Sequence, residues 1–435
     1  MENSVALQRY LQRHIERGLP APPQISNSWQ NTLVIPAYRE SPGLIQRLQR
    51  LGPGKGQTLV ILVLNRPDTD HNPKANRALR VAAAALAASH KQPGLPPVYC
   101  LNGHTDLYVH DMEEQGRLVP ASQGVGLARK TGCDIAVQWM SSGAISGRWI
   151  HSSDADAGLP PDYFQRIESA GERAVAAVYP FAHVPGSEPG CDDATRLYEL
   201  RLHHYVLGLE YAESPYAYHT LGSCLAVKAG AYTQVRGFPR RAGGEDFYLL
   251  NKLVKLGPLA KLQGKCIELQ SRYSTRVPFG TGPAVEKIGA SDHPDELPLF
   301  YHPGCFAALR ALLHTAPVLW RNTGADLPSL LCAAGLDRSL AQSSCNALEA
   351  MGLAKALCHC QRQGKSQDQF IRQFHQWFDA FRSLKFIHAL RDAGWPQQSL
   401  GAIATVQPQL WPGGNVNTPG AEDLRSTVNK HWGWT

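Results

Sequence analysis

Two rhythms of apolar and polar residues alternate along the chain. "NTLVIPAYRE" opens on a continuous apolar run, residues 33–35, that halts at Pro36. "GLIQRLQRL" follows, with Leu44, Ile45, Leu48 and Leu51 at helical spacing. "QTLVILVLN" is a second unbroken apolar run, rich in Val, Ile and Leu. Such runs read as strands buried on both faces, the habit of parallel sheets. "NPKANRALRVAAAALAAS" predicts a helix, "PPVYCLN" a third short strand and "GVGLARKTGCDIAVQWM" another helix. "GRWIHSSDAD" is a fourth strand that ends on two aspartates. This alternation predicts an open, mostly parallel α/β sheet. Ligands of such sheets bind beyond the carboxyl ends of the strands. Residues 36–40, 65–70 and 154–156 all follow strands and are expected to face one crevice.

The middle of the chain is mixed. Residues 162–170 predict a helix with Pro at its start. "ERAVAAVYPF" reads as a strand, "ATRLYELRLHHYVLGLEYA" as a long helix and "SCLAVKAGAY" as a strand and turn. "GGEDFYLLNKLVKLG" predicts a helix beginning near Glu245, and "KCIELQSRYSTRV" a strand that runs into a loop. From Pro303 onward the pattern is helical. Phe370, Phe374, Trp377, Phe378 and Phe381 form an aromatic stripe at helical spacing, the mark of core packing. The last residues, about 25 of them, are rich in Pro, Gly and Asn and read as loosely ordered, with "HWGWT" exposed. At the other end, "MENSVALQRYLQRHIERG" is charged throughout, which suits a short amphipathic helix before a Pro-rich linker and not a signal peptide. No apolar run approaches a membrane span. The expected division is an N-terminal helix and linker (1–30), a first half of the α/β region (31–156), a second half (157–300) and a helical extension with its loose tail (301–435).

Composition changes this picture little. The 435 residues are 43% hydrophobic and 18% charged, which suits a soluble globular protein. The net charge of +7 is spread along the chain, without a block of basic residues, so a nucleic-acid arm is not expected. An anionic small substrate fits better. The ten cysteines form no CxxC pair. Cys358 and Cys360 flank His359, but residues two apart point to different faces of a helix, a poor arrangement for zinc. Scattered cysteines suit a reducing compartment, and a cytoplasmic location is expected.

Asp154 and Asp156 carry the sharper chemistry. Two carboxylates, two apart in a strand-end loop, can present oxygens to one hard cation, Mg2+ or Mn2+, that is shared with substrate phosphates. A solvated turn before a helix has the same composition. Glu245 and Asp246 sit at a helix start after two glycines. Acids there are favoured by the helix dipole, but a carboxylate so placed can also take a proton from an attacking hydroxyl.

Four stretches, "TLVIPAYRE", "GVGLARKTGCDIAV" leading to "DAD", "GSCLAVKAGAYTQVRGF" and "GGEDFYLLNKL", resemble in order and separation the family 2 glycosyltransferases. The resemblance covers roughly residues 32–282. It implies a GT-A fold and an inverting, metal-dependent sugar transfer from a nucleotide sugar, a UDP-sugar foremost. The acceptor would be a small molecule, a lipid-linked group or a glycan. By this resemblance Pro36, Ala37, Tyr38 and Glu40 cradle the base and ribose. Arg129 matches a basic residue near the nucleotide, and Asp154 and Asp156 match the metal motif that holds the diphosphate. Gly222 and Ser223 match the small residues lining the sugar side. Asp246 matches the general base, with Glu245 before it as the runner-up. Arg272 and Arg276 are candidates to neutralise the leaving group.

The chain also departs from the family. "LNRPDTD" stands where many members have an acidic stretch, which leaves Asn65 and Asp68 as substitute base contacts. "QSRY" falls one residue short of the Q-x-x-R-W of processive synthases, so processive synthesis with extrusion is not expected. His302, or His293, is the candidate third metal ligand. Two other functions fit part of the pattern. One is a nucleotidyltransferase or metal phosphohydrolase on a similar sheet, although "PAYRESPG" is a poor version of the Gly-rich loop. The other is a non-catalytic nucleotide-sugar sensor or scaffold.

Overall fold

The apolar runs near the start of the chain become the middle of a sheet. The structure is a computed structural model that describes residues 5–23, 27–87, 96–114, 116–186, 188–274, 280–321, 324–406, 410–412 and 420–435. A short helix, α1 (Val5–Arg13), comes first. It is followed by β1 (Asn31–Ala37), α2 (Gly43–Gln49), β2 (Thr58–Leu64), α3 (Arg77–Ala87), β3 (Val98–Asn102), β4 (Thr105–Asp111), α4 (Gly124–Ser141) and β5 (Trp149–Ser152). Next come α5 (Tyr163–Arg166), β6 (Ala176–Val178), β7 (Phe181–Val184), α6 (Cys191–Tyr211), β8 (Leu225–Lys228) and α7 (Ala229–Gln234). Then follow α8 (Glu245–Leu253), β9 (Leu259–Lys261), β10 (Ile267–Gln270) and α9 (Thr281–Gly289).

Eight strands form one sheet in the order β3-β4-β2-β1-β5-β8-β6-β9. β1, β2, β4, β5, β6 and β9 run one way, and β3 and β8 oppose them. This is the mixed α/β architecture the alternation predicts, with a large, mostly parallel sheet flanked by helices. Every residue of β1 and β2 is buried, as unbroken apolar strands require. β7 and β10 make a separate parallel pair.

Two compact units divide the chain. The first holds residues 1–192, 220–284 and 433–435, and with them both sheets. The second holds residues 193–219 and 285–432. Its helices are most of α6 together with α10 (Pro303–Arg321), α11 (Leu327–Ala333), α12 (Arg338–Ala350), α13 (Leu353–Gln363), α14 (Gln367–Trp377), α15 (Ala380–Asp392), α16 (Leu400–Val406) and α17 (Ala421–Trp432). Phe370, Phe374 and Phe378 of the aromatic stripe are buried in its core with Phe306, Leu348 and Phe386. No helix among the described residues is long and apolar enough to cross a membrane.

Several local expectations need correction. β1 does not stop at Pro36 but runs through it to Ala37. Ala37 O accepts from Asn65 N toward β2, whereas Val34 O accepts from Ser153 N on the β5 side. Pro36 points the same way as Val34, and β5 has already ended there, so its missing N–H leaves no ladder bond unmade. β4 lies beside β2 in the heart of the sheet, yet the apolar pattern did not announce it. Its signal is Gly103, a turn residue in the two-residue connection Gly103-His104 between the paired Asn102 and Thr105. "AVYPFAHV" is two strands in two sheets, divided at Pro180. The predicted helix over residues 162–170 is α5 plus one further tight turn, Ile167–Ala170. The end of the chain is not loose over its described residues. α17 buries Leu424 and Val428. Beyond it, Gly264 N donates to Gly433 O, Thr435 N to Gly264 O and Cys266 N to Thr435 O, at 2.8–2.9 Å. Trp434 packs on Phe181 with ring centroids 5.5 Å apart.

Candidate active site

Parallel pairing aligns three strand ends on one rim. Ala37 stands opposite Leu64, and Val34 opposite Ser152. Residues 38–40, 65–70 and 153–156 therefore leave the sheet side by side, and all of them belong to the first unit.

Arg129, on α4, is the hub of the site. It is buried, with 3% of its surface exposed. Its Nε donates to Glu245 Oε1 at 2.9 Å. Nη1 donates to Ser152 Oγ at 2.8 Å and to Gly222 O at 3.0 Å, and Nη2 pairs with Asp154 Oδ1 at 2.5 Å. Burial alone would weaken the charge on this guanidinium, but Asp154, Glu245 and Asp246 overcome that and hold it firmly protonated. With each of its three nitrogens donating to a protein group, Arg129 ties β5, α8 and the segment before β8 together. Gly222 is part of that knot. A Cβ there would lie 2.6 Å from Nη2 and 2.7 Å from the guanidinium carbon of Arg129, so only glycine fits. Ser223 beside it is buried, its Oγ 3.4 Å from Cys224 Sγ.

α8 begins at this hub. Gly244, left-handed at φ 67°, caps it and delivers Glu245 and Asp246 into the first turn. Glu245 is buried against Arg129. Asp246 is half-buried. Its carboxyl is pushed up to about 7, first by burial and then by the neighbouring charge of Glu245, against the opposing Phe247 N–H and Arg129. That places its titration near neutrality, where a general base works best.

A second knot adjoins the first. Arg272 Nη2 pairs with Asp156 Oδ2 at 2.6 Å, and its Nη1 lies 3.9 Å from Glu40 Oε1. Burial, Asp154 and Glu40 push the Asp156 carboxyl up, and Arg272 pulls it down. The side chain of Asp154 is 40% exposed and that of Asp156 20%, so both can reach a ligand. Glu40, Asp154, Asp156, Glu245 and Asp246 thus share Arg129 and Arg272 as their cations. Among the described residues, these five carboxylates meet two guanidinium groups.

The remaining candidates are spread more widely. Pro36 and Ala37 are strand residues at the end of β1. Tyr38 OH donates to Asp70 Oδ2 at 2.7 Å, and Arg39 pairs with the same oxygen at 2.9 Å. The Asn72 N–H, Tyr38 and Arg39 hold the Asp70 carboxyl down to about 2. Asp70 was missed in the sequence, although it lies in the same strand-end stretch as Asp68. Arg39 has φ 55°, a left-handed backbone at the strand end. Asn65 is buried and spends its amide N–H groups on Ala37 O and Val63 O. Asp68 Oδ1 accepts from Ala121 N at 2.9 Å. Both are thus engaged in holding loops. His302 belongs to the second unit, where its Nδ1 accepts from Gly304 N at 3.0 Å. Arg276 lies outside the described residues. Among the described residues no group of three or more His, Cys, Asp or Glu side chains is arranged to hold a metal ion.

The sequence matches no protein-family model and no curated protein. Among solved structures it is similar to TarS of S. aureus in complex with UDP-GlcNAc, at 12% identity and TM-score 0.37, over 81% of this chain and 91% of that one. The TarS structure with UDP gives 13% identity and TM-score 0.36 over the same shares. Mouse xyloside xylosyltransferase 1 in its apo form gives 11% and 0.28, over 55% of this chain and 86% of that one. At TM-scores this low the likenesses carry no functional inference, and the side chains of the site must carry it.

Proposed function

We propose that the chain is an inverting glycosyltransferase of the GT-A type. It would move a sugar from a nucleoside diphosphate sugar, a UDP-sugar foremost, to an acceptor hydroxyl. The observation that carries this reading is the knot around Arg129, which joins the Asp154–Asp156 turn to Glu245 and Asp246 at the rim where parallel sheets bind ligands. A pair of accessible carboxylates beside one half-buried carboxyl poised near neutrality is what a single displacement at an anomeric carbon needs.

The carboxylates of Asp154, Asp156, Glu245 and Asp246 would repel an anionic diphosphate. Their hard oxygens suit Mg2+ or Mn2+, which bind through one or two carboxylates and substrate phosphates and so need no cluster of three protein ligands. Asp154 and Asp156 are the residues that would hold such an ion. When bound, it supplies neutralisation of the departing diphosphate. The rest of the work falls to the chain. Arg129 fixes Asp154 and Glu245 relative to each other. Asp246 accepts the acceptor's hydroxyl proton as the oxygen forms its bond to the anomeric carbon. The bond from that carbon to the diphosphate oxygen breaks, and the nucleoside diphosphate leaves with the electron pair. Arg272 lies within reach of that leaving charge.

Thermal shift with UDP-, GDP-, ADP- and dTDP-sugars, with and without Mn2+, tests the donor and the ion together, because a ligand of the folded state raises its apparent stability. A Mn2+-dependent shift with one donor, abolished in Asp156→Ala, is expected. Slow nucleoside diphosphate release from that donor should be lost in Asp246→Asn while its binding remains. If no nucleotide sugar shifts the protein, or if Asp156→Ala binds donor as the wild type does, the assignment fails.

A further inference from the structure

The Asp154–Asp156 turn is gripped from a second side. Arg47, on α2, donates to the carbonyl oxygen of Ala155, between the two aspartates. Between α2 and this turn lies a cavity of about 170 Å3. Leu44, Leu48 and Leu159 give it apolar walls, and Arg47, Arg50 and Asp154 also line it. Arg47 and Arg50 are three residues apart on one side of the helix end. The Arg50 side chain makes no ion pair or hydrogen bond among the described residues.

A guanidinium without a partner among the described residues, on the wall of a cavity lined in part by leucines, sets two demands on an occupant. Its planar fork matches a carboxylate or a phosphate. The leucines favour an apolar group that displaces water from them. A neutral apolar molecule answers only the second demand and an inorganic anion only the first. We propose that this cavity is a binding site for a small amphipathic anion, a carboxylate or phosphate monoester that carries a short alkyl or aryl group. The head group sits on Arg50 and Arg47, and the apolar group lies along Leu44, Leu48 and Leu159. Asp154 is on the cavity wall, so the occupant lies next to the residues of the candidate active site.

Isothermal titration of the full chain with hexyl phosphate, hexanoate, hexanol and inorganic phosphate tests this. Saturable binding of at least one of the two amphipathic anions is expected, and the tighter of them identifies the head group. Arg50→Gln, a change at an exposed position, should weaken that binding about tenfold, the loss of one charge-assisted contact. Hexanol and inorganic phosphate should bind far more weakly than the preferred anion. The proposal is overturned if neither amphiphile saturates, if Arg50→Gln binds as the wild type does, or if inorganic phosphate binds as well as hexyl phosphate. The titration uses no nucleotide sugar, so its result stands whether or not glycosyl transfer is found.

Discussion

Asp246→Asn should make the protein more stable while it abolishes transfer. The carboxyl of Asp246 titrates at about 7 in the fold against an ordinary value of 3.8. An acid whose folded value lies above its unfolded one binds its proton more tightly when folded, so its ionisation works against folding. That cost is absent below the unfolded value, grows as the pH rises from about 4 to 7, and is constant above. At about 1.4 kcal/mol per decade the full interval sets a ceiling of about 4 kcal/mol. Asp246 is half-buried and shares its environment with Glu245, and solvent screening reduces the figure to about 1–2 kcal/mol. Asparagine keeps the shape, and its carbonyl oxygen can still accept the Phe247 N–H that donates to Asp246 at 2.6 Å. Urea unfolding of wild type and variant at pH 4 and pH 8 separates the cases. The curves should nearly coincide at pH 4, and the variant should be more stable at pH 8. Equal stability at both values would refute a strained carboxylate at this position. With the identified donor and acceptor, wild-type transfer should rise with pH through about 7, and the variant should lose about two to four orders of magnitude in rate.

Other residues give further tests. Gly222→Ala forces a methyl against the tethered Arg129 guanidinium, and unfolding should show a loss of about 1–3 kcal/mol; unchanged stability would mean that Arg129 can swing away. Arg129→Met leaves Glu245 buried without its cation, at a cost of about 3–5 kcal/mol. Glu245→Gln should recover part of that loss in a double-mutant cycle, and additive losses would argue against the knot. Arg272→Gln removes the cation that pulls the Asp156 carboxyl down, so Mn2+ binding, followed by electron spin resonance, should require a higher pH than in the wild type. Tyr10→Phe takes one donor from the buried Asp134, which Tyr10 contacts at 2.5 Å beside Lys130 and Tyr232. A loss of about 1.5–3 kcal/mol is expected by thermal or urea unfolding.

The sheet was largely legible because its inner strands are unbroken apolar runs, and a strand buried on both faces can hardly be written otherwise. Where the sequence misled, a local signal competed with tertiary context. Pro36 looks like a stop, but β5 ends before it and removes the penalty. β4 reads as "TDLYVHD", polar at both ends, because its ends meet polar partners: Asp106 accepts from Trp29 Nε1 at 2.8 Å, and Asp111 pairs with Arg80. The C-terminal segment looks loose by composition, yet backbone bonds to Gly264 and Cys266 secure its last residues. Such pairing depends on backbone groups that every residue carries, so side-chain chemistry cannot announce it.

The site was legible as a set of residues and illegible as an arrangement. Asp154, Asp156, Glu245 and Asp246 can be named from the order of the motifs, and within each pair the two acids share one local sequence context. What separates them is Arg129, which lies 25 residues from Asp154 and 116 from Glu245. By motif it reads as a basic residue near the nucleotide. In the fold each of its nitrogens donates to the protein, to Glu245, Ser152, Gly222 and Asp154, and it is buried. A buried arginine so occupied makes a poor ligand contact and a strong positioning residue, since moving it would strand two carboxylates. The consequence falls on Asp246. Arg129 pairs directly with Glu245, while burial first, and then the adjacent Glu245 charge, push the Asp246 carboxyl toward neutrality against the pull of Arg129. The choice between two adjacent acids, open in the sequence, is thus a choice about which of them the arginine holds.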